Sequence, residues 1–172
     1  MTDSMRPLVA AGTVLGIGLG GFFDGILLHQ ILQVHNMLSN RRFPDTLVNV
    51  EINMFWDGLF HAATWTLTLV GLSLLWKAAG RKDVAHSTRG LVGAMIFGWG
   101  LFNLVEGLID HQILQLHHVI QRAPQPAQLI WDLTFLAVGG VLLIAIGRHQ
   151  IRKADAEVLQ ASDSTYRVRQ IA

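Results

Sequence analysis

Four apolar stretches constrain this chain more than any other feature. Crossing the hydrocarbon core of a bilayer takes an α-helix of about 20 mostly apolar residues at about 1.5 Å each, and the stretches lie near residues 8–35, 55–76, 90–117 and 128–147. The first is uncharged from Pro7 to Phe23 and continues through GILLHQILQV, with Asp24 as its interruption. Connectors between the stretches carry Arg41, Arg42, Pro44 and Asp45, then the basic segment Lys77 to Arg89, then Pro124 and Pro126. Composition agrees, since 51 % of residues are hydrophobic, 15 % are charged and mean hydropathy is +0.41. So few charges cannot cover a water-exposed globule of this size. The expected fold is all-α, an integral membrane four-helix bundle over residues 1–150 with a polar cytoplasmic tail at 151–172.

Basic residues sort by side. Arg6, Lys77, Arg81, Lys82, Arg89, Arg148, Arg152, Lys153, Arg167 and Arg169 fall on one side of the spans, and Arg41, Arg42 and Arg122 on the other. By the positive-inside rule both termini are cytoplasmic and the chain is multi-pass in the inner membrane, its first span an uncleaved helix rather than a signal peptide. Trp56, Trp76 and Trp131 sit where interfacial residues belong, whereas Trp65 and Trp99 lie deeper and read as packing residues. Gly12, Gly16 and Gly20 form a small-residue strip for close helix contact. A formal charge of +1 argues against nucleic acid as a partner. The expected partner is the lipid bilayer, with a homo-oligomer or another membrane protein left open.

The chain also repeats itself. HQILQVH from His29 aligns with HQILQLH from His111, an offset of 82 residues (111 − 29), which also places Asp24-Gly25 over Glu106-Gly107. WDGLF aligns with WDLTF at an offset of 75 (132 − 57). Two helical hairpins starting on the same side of the membrane are expected, related as parallel repeats about an axis near the membrane normal.

The chemistry must come from histidine and carboxylate. Cysteine is absent, which removes disulfides, thiolate metal sites, iron–sulfur clusters and cysteine nucleophiles. Intramembrane ionisable groups cost about 2.5–3.5 kcal/mol each on insertion scales, so they must be paired, protonated or bound to a cation. Counting inward along straight α-helices puts His29, His61 and His111 at one level, about 9 Å below the outer boundary. The expected site is a divalent transition metal, zinc, iron or copper, held by His29, His61, His111 and Asp57 in the extracytoplasmic half. Asp24, Glu106, Asp110, Asp132 and His118 are expected around the ligands, where carboxylates accept the second ring N–H of ligating histidines. At about 100° per residue, His29 falls about 140° from Asp24, and His111 repeats that offset from Glu106, giving two polar stripes on each helix. Gln30, Gln33, Gln112 and Gln115 read as interhelical hydrogen-bonding residues, and His86 and His149 as solvated.

Two other readings remain open. His29 with His111, and His35 with His117, are repeat-related pairs suited to bis-histidine haem binding. Asp24 and Glu106, near mid-membrane, are candidates for a proton or ion pathway, although the cytoplasmic halves of the spans offer no polar continuation.

The blocks GGFFDGILLHQILQVHNML, FWDGLFHAATWTLTLVGLSLLW, GWGLFNLVEGLIDHQILQLHHV and WDLTFLAVGGVLLIAIG resemble a bacterial family of predicted four-span membrane proteins of unknown function. The resemblance runs from about Val9 to Gly147 and implies an integral membrane protein with this number of helices. It implies no reaction.

Overall fold

The computed structural model describes the backbone of residues 1–171 and the side chains of residues 1–164. Among the described residues all regular structure is helical, and four helices are long and apolar enough to cross a membrane: Arg6–Ile31, Leu47–Ala79, Thr88–Ile113 and Gln125–Ser164. Helix α1 (Arg6–Phe23) opens with proline in its first turn, where the missing N–H costs nothing. Thr46 caps α2 (Leu47–Ala79), its hydroxyl accepting from the Asn49 N–H at 3.3 Å, and Ser87 caps α3 (Thr88–Glu106) through the Gly90 N–H at 3.1 Å. Helix α4 (Gln125–Thr134) begins with Pro126 in its first turn and passes through a π-helical segment, Phe135–Leu142, into α5 (Leu143–Ile171).

Four boundaries differ from the sequence reading, and the second span starts at Leu47 rather than near residue 55. The first and third spans stop at Ile31 and Ile113, before His35 and His117, because the backbone turns left-handed at Gln33 (φ 50°) and Gln115 (φ 49°). At the other end, α5 continues past Gly147 without a break, so the polar tail from residue 151 is a helical extension of the last span.

Glycine decides how the spans pack. A Cβ on Gly12 would lie 2.7 Å from the Ala94 Cβ, one on Gly20 2.7 Å from Trp99 Cδ1, and one on Gly16 would collide with the Met95 carbonyl. Gly98 meets the Thr13 carbonyl from the opposite direction. The strip at Gly12, Gly16 and Gly20 is therefore the seam along which α1 and α3 touch almost backbone to backbone, as small residues allow in lipid. Helix α2 flanks this central pair on α1, and α5 flanks it on α3. The flanking helices turn Leu59, Leu69, Leu72, Trp76, Leu133 and Val141 outward, as a hydrocarbon solvent requires. Trp65 belongs to that outer surface at 57 % exposure rather than to the packing core, whereas Trp99 packs on Phe23 with ring centroids 4.9 Å apart.

The bundle has two distinct ends. At one, the Thr2 N–H and hydroxyl both donate to Asp155 Oδ1 at 2.8 Å, tying the N-terminal segment to α5. At the other, the connectors 32–46 and 114–124 meet, with the Asn40 N–H donating to the Leu116 carbonyl at 2.8 Å and the Gln121 N–H to the Val34 carbonyl at 3.0 Å. The polar residues of the spans gather at this second end.

Candidate metal centre

The site begins with a change of helical pitch. After α1 and α3 the chain widens into π-helix over Asp24–Ile31 and Gly107–Ile113. The Leu32 N–H reaches the Leu27 carbonyl at 2.8 Å, and the Leu114 N–H reaches the Ile109 carbonyl at 2.7 Å, both five residues back. Residues five apart are about 140° apart on an α-helix, but π-helical winding brings them onto one face. The two polar stripes expected on each helix therefore merge. His29 Nε2 stands 3.1 Å from Asp24 Oδ2, and His111 Nε2 stands 3.0 Å from Glu106 Oε1.

A reversal follows each π segment. The Val34 N–H closes on the Leu28 carbonyl at 3.1 Å and the Leu116 N–H on the Asp110 carbonyl at 2.7 Å, and left-handed Gln33 and Gln115 send the chain back into the bundle. That conformation costs a non-glycine residue roughly 1–2 kcal/mol, and the chain accepts it twice, at positions 82 apart. The return carries His35 and His117 inside, where they are 2 % and 1 % exposed. Their rings stack, with centroids 4.5 Å apart and planes at 10°.

Six groups thus share one buried cluster: Asp24, His29, His35, Glu106, His111 and His117. The His35 Nδ1–H donates to the Val119 carbonyl at 2.9 Å and the His117 Nδ1–H to the Met37 carbonyl at 3.1 Å. A carbonyl only accepts, so these bonds fix both tautomers and leave each Nε2 as a lone pair pointing inward. The His29 Nδ1–H likewise donates to Asp57 Oδ1 at 2.9 Å. His35 Nε2 is 3.7 Å from Asp24 Oδ1, and His117 Nε2 is 3.0 Å from Glu106 Oε1. His117 Nε2 and Glu106 Oε1 have hydrogen-bonding geometry, so a proton or another cation between them joins this pair. The Nε2 atoms of His29, His35 and His111 and the Oε2 of Glu106 are buried without a hydrogen-bond partner, the close contacts to carboxylates being off the line that a shared hydrogen needs. Two sets of donor atoms, His29 with His35 and His117, and Glu106 with His111 and His117, lie within 4.8 Å of one another and could hold a metal ion.

A second layer of carboxylate holds the rings. Besides His29, Asp57 accepts from the Met37 N–H at 2.8 Å, Asn36 Nδ2 at 2.9 Å and Gln30 Nε2 at 3.3 Å. These four bonds use up the acceptor capacity of a carboxylate, so Asp57 stands behind His29 rather than beside it as a fellow ligand. Asp132 takes the matching place. It accepts from the Val119 N–H at 2.9 Å and His118 Nδ1 at 2.7 Å, and its Oδ1 lies 3.6 Å from His111 Nδ1. His118 is thereby a partner of Asp132, at the position where the first hairpin has Asn36.

Of the expected ligands, His29 and His111 enter the cluster and His61 does not. The His61 ring donates from Nδ1 to the Asp57 carbonyl at 2.7 Å and lies against Gly25, whose Cβ would sit 2.6 Å from His61 Nε2. Asp110 is half-buried and joins none of these contacts. His35 and His117, assigned in the sequence to the haem alternative alone, join the cluster as well. Their signal is in the repeat. Asp24 with Glu106, His29 with His111, His35 with His117 and Asp57 with Asp132 keep their chemistry in both copies, whereas His61 aligns with Leu136.

Comparison with known proteins places the chain in a family. The model of the family described as "Predicted membrane protein (DUF2243)" matches residues 11–154, and the chain belongs to that family. No curated protein and no solved structure matches it.

Proposed function

We propose that this DUF2243 membrane protein binds a divalent transition metal, zinc, iron or copper, through Asp24, His29, His35, Glu106, His111 and His117. One observation carries the reading: six buried imidazoles and carboxylates converge, the Nδ1–H groups of His29, His35 and His117 are bonded away from the centre, and no Lys or Arg side chain is among their described contacts. Acceptors crowded at 3.0–3.7 Å repel unless a cation lies between them. Neutral imidazole and carboxylate without thiolate are the donors that such metals take. Asp57 behind His29, and Asp132 behind His111, supply the outer carboxylates that orient ligating rings.

The cluster lies at the end of the bundle away from the basic segment Lys77 to Arg89, so the positive-inside rule supports an extracytoplasmic site and cytoplasmic termini in the inner membrane. Contacts that recur at offsets of 82 and 75 support a duplicated hairpin whose copies complete each other's site. Ring packing favours an ion over haem, because rings 4.5–4.7 Å apart leave no slot for a macrocycle. The glycine seam between α1 and α3 favours binding over conduction, since no ionisable residue continues along it.

Elemental analysis of protein purified in detergent tests the reading. The wild-type chain retains a first-row metal through gel filtration, and the double substitution His35→Ala with His117→Ala lowers its content at least tenfold. Equal content in both, with the variant still folded, removes the assignment.

A further inference from the structure

Ring contacts run through the whole cluster. From His29 to His35 to His117 to His111 the ring centroids step by 4.6, 4.5 and 4.7 Å, while alternate rings are 5.8 Å (His29 to His117) and 6.2 Å (His35 to His111) apart. The four imidazoles adjoin in the order His29, His35, His117, His111, and the path bends sharply at His35 and at His117. Each carboxylate serves two of the rings: Asp24 Oδ2 lies 3.1 Å from His29 Nε2 and Asp24 Oδ1 3.7 Å from His35 Nε2, and Glu106 Oε1 lies 3.0 Å from the Nε2 atoms of both His111 and His117. Two donors at about 2.1 Å from one ion are about 3.0 Å apart as octahedral neighbours and about 3.4 Å apart in a tetrahedron. The Glu106 half has that spacing around a single oxygen, and Asp24 reaches its two rings with one oxygen each.

We propose that the site holds two divalent cations, one on Asp24, His29 and His35 and the other on Glu106, His111 and His117, an inference that rests on the metal-binding reading above. Charge supports the number. Asp24, Asp57, Glu106 and Asp132 are all buried, and with neutral imidazoles they place four negative charges in a low-dielectric interior. One divalent ion leaves two of these uncompensated, and two ions balance them, which matters where an unpaired buried charge costs several kcal/mol. The halves also adjoin, since His117 belongs to both groups of donors that lie within 4.8 Å of one another. The unpartnered Glu106 Oε2 leaves one carboxylate free to reach toward a neighbouring ion. His29 also lines a cavity of about 330 Å³ with Gln30, Gln33 and Arg122, and His111 lines another of about 460 Å³ with Gln112 and Gln115.

Titration of chelator-treated, detergent-purified protein with Co²⁺, followed by its visible ligand-field bands and by elemental analysis after gel filtration, tests the inference. Saturation is expected at two equivalents per chain, falling to one in the variant His111→Ala with His117→Ala and to one in the variant His29→Ala with His35→Ala. Saturation of the wild type at one equivalent overturns the two-ion site while leaving the metal-binding reading intact. No binding overturns both. A variant that elutes as the wild type does yet loses both ions overturns the division into halves. If either variant fails to fold, the wild-type stoichiometry alone decides between one ion and two.

Discussion

His35 and His117 stack face to face at 4.5 Å, and each is held by the other's segment: the His35 Nδ1–H bonds the Val119 carbonyl and the His117 Nδ1–H bonds the Met37 carbonyl. Each ring is two residues from the carbonyl that holds its counterpart, so the two returns interlock as a reciprocal pair. Neither hairpin alone fixes its own second histidine. The site is therefore a property of the assembled bundle, and anything that separates α1 from α3 should also release its contents.

The glycine seam tests that coupling. A Cβ on Gly16 collides with the Met95 carbonyl, and Gly58 has nothing within 4 Å. Gly16→Ala should destabilise the protein by roughly 1–3 kcal/mol, the usual range for overpacking, and loosen metal retention with it. Gly58→Ala should be neutral or stabilise by up to about 1 kcal/mol through helix propensity. Thermal unfolding in detergent followed by circular dichroism separates the two.

Replacing the outer carboxylates should weaken the site without removing a ligand, and by unequal amounts. Asp57 Oδ1 is 2.9 Å from His29 Nδ1, whereas Asp132 Oδ1 is 3.6 Å from His111 Nδ1. Asp57→Asn is expected to lower metal affinity about 10- to 100-fold, as loss of such partners does, and Asp132→Asn by less. Competition against a chelator of known affinity measures both, and a larger effect of Asp132→Asn would contradict the assignment of roles.

His61→Leu should leave metal content unchanged. Its ring bonds a main-chain carbonyl outside the cluster, and the aligned position in the second hairpin is Leu136. The same elemental analysis that detects loss in the His35 and His117 variant should show full occupancy here. A fall below half would restore His61 to the ligand set.

Acid should strip the site. Ligating imidazoles must be neutral, so protons and metal compete for the same Nε2 lone pairs. With imidazole ordinarily titrating near about pH 6.5, dialysis at pH 8 should retain the ion and dialysis below about pH 5 should release it. Reloading on return to pH 8 would show that the bundle survived the change.

Much of this was legible in the sequence, and the part that was not has a physical cause. Spans show because bilayer thickness fixes their length, and the repeat shows because HQIL-x2-H recurs with its acidic-Gly partner upstream. The angular relation of Asp24 to His29 was misleading because the wheel assumes α-helical pitch, and the widening to π-helix at Asp24 and Gly107 leaves no periodic mark in so short a segment. The inward return of His35 and His117 was hidden by Gln33 and Gln115, which take a left-handed conformation that sequence rules assign to glycine or asparagine. Depth counting raised His61 to a ligand for the same reason, since it treated each span as straight and uniform. Residues whose chemistry survives in both hairpins identify the cluster better than residues at equal depth.

X-ray absorption at the K-edge of the metal that copurifies with the protein tests the central claim most directly. The account predicts a nitrogen and oxygen shell at about 2.0–2.2 Å, with the outer-shell scattering of two or more imidazole rings per ion and no sulfur. A shell lacking imidazole scattering, or a purified protein with no first-row metal at that edge, would contradict it.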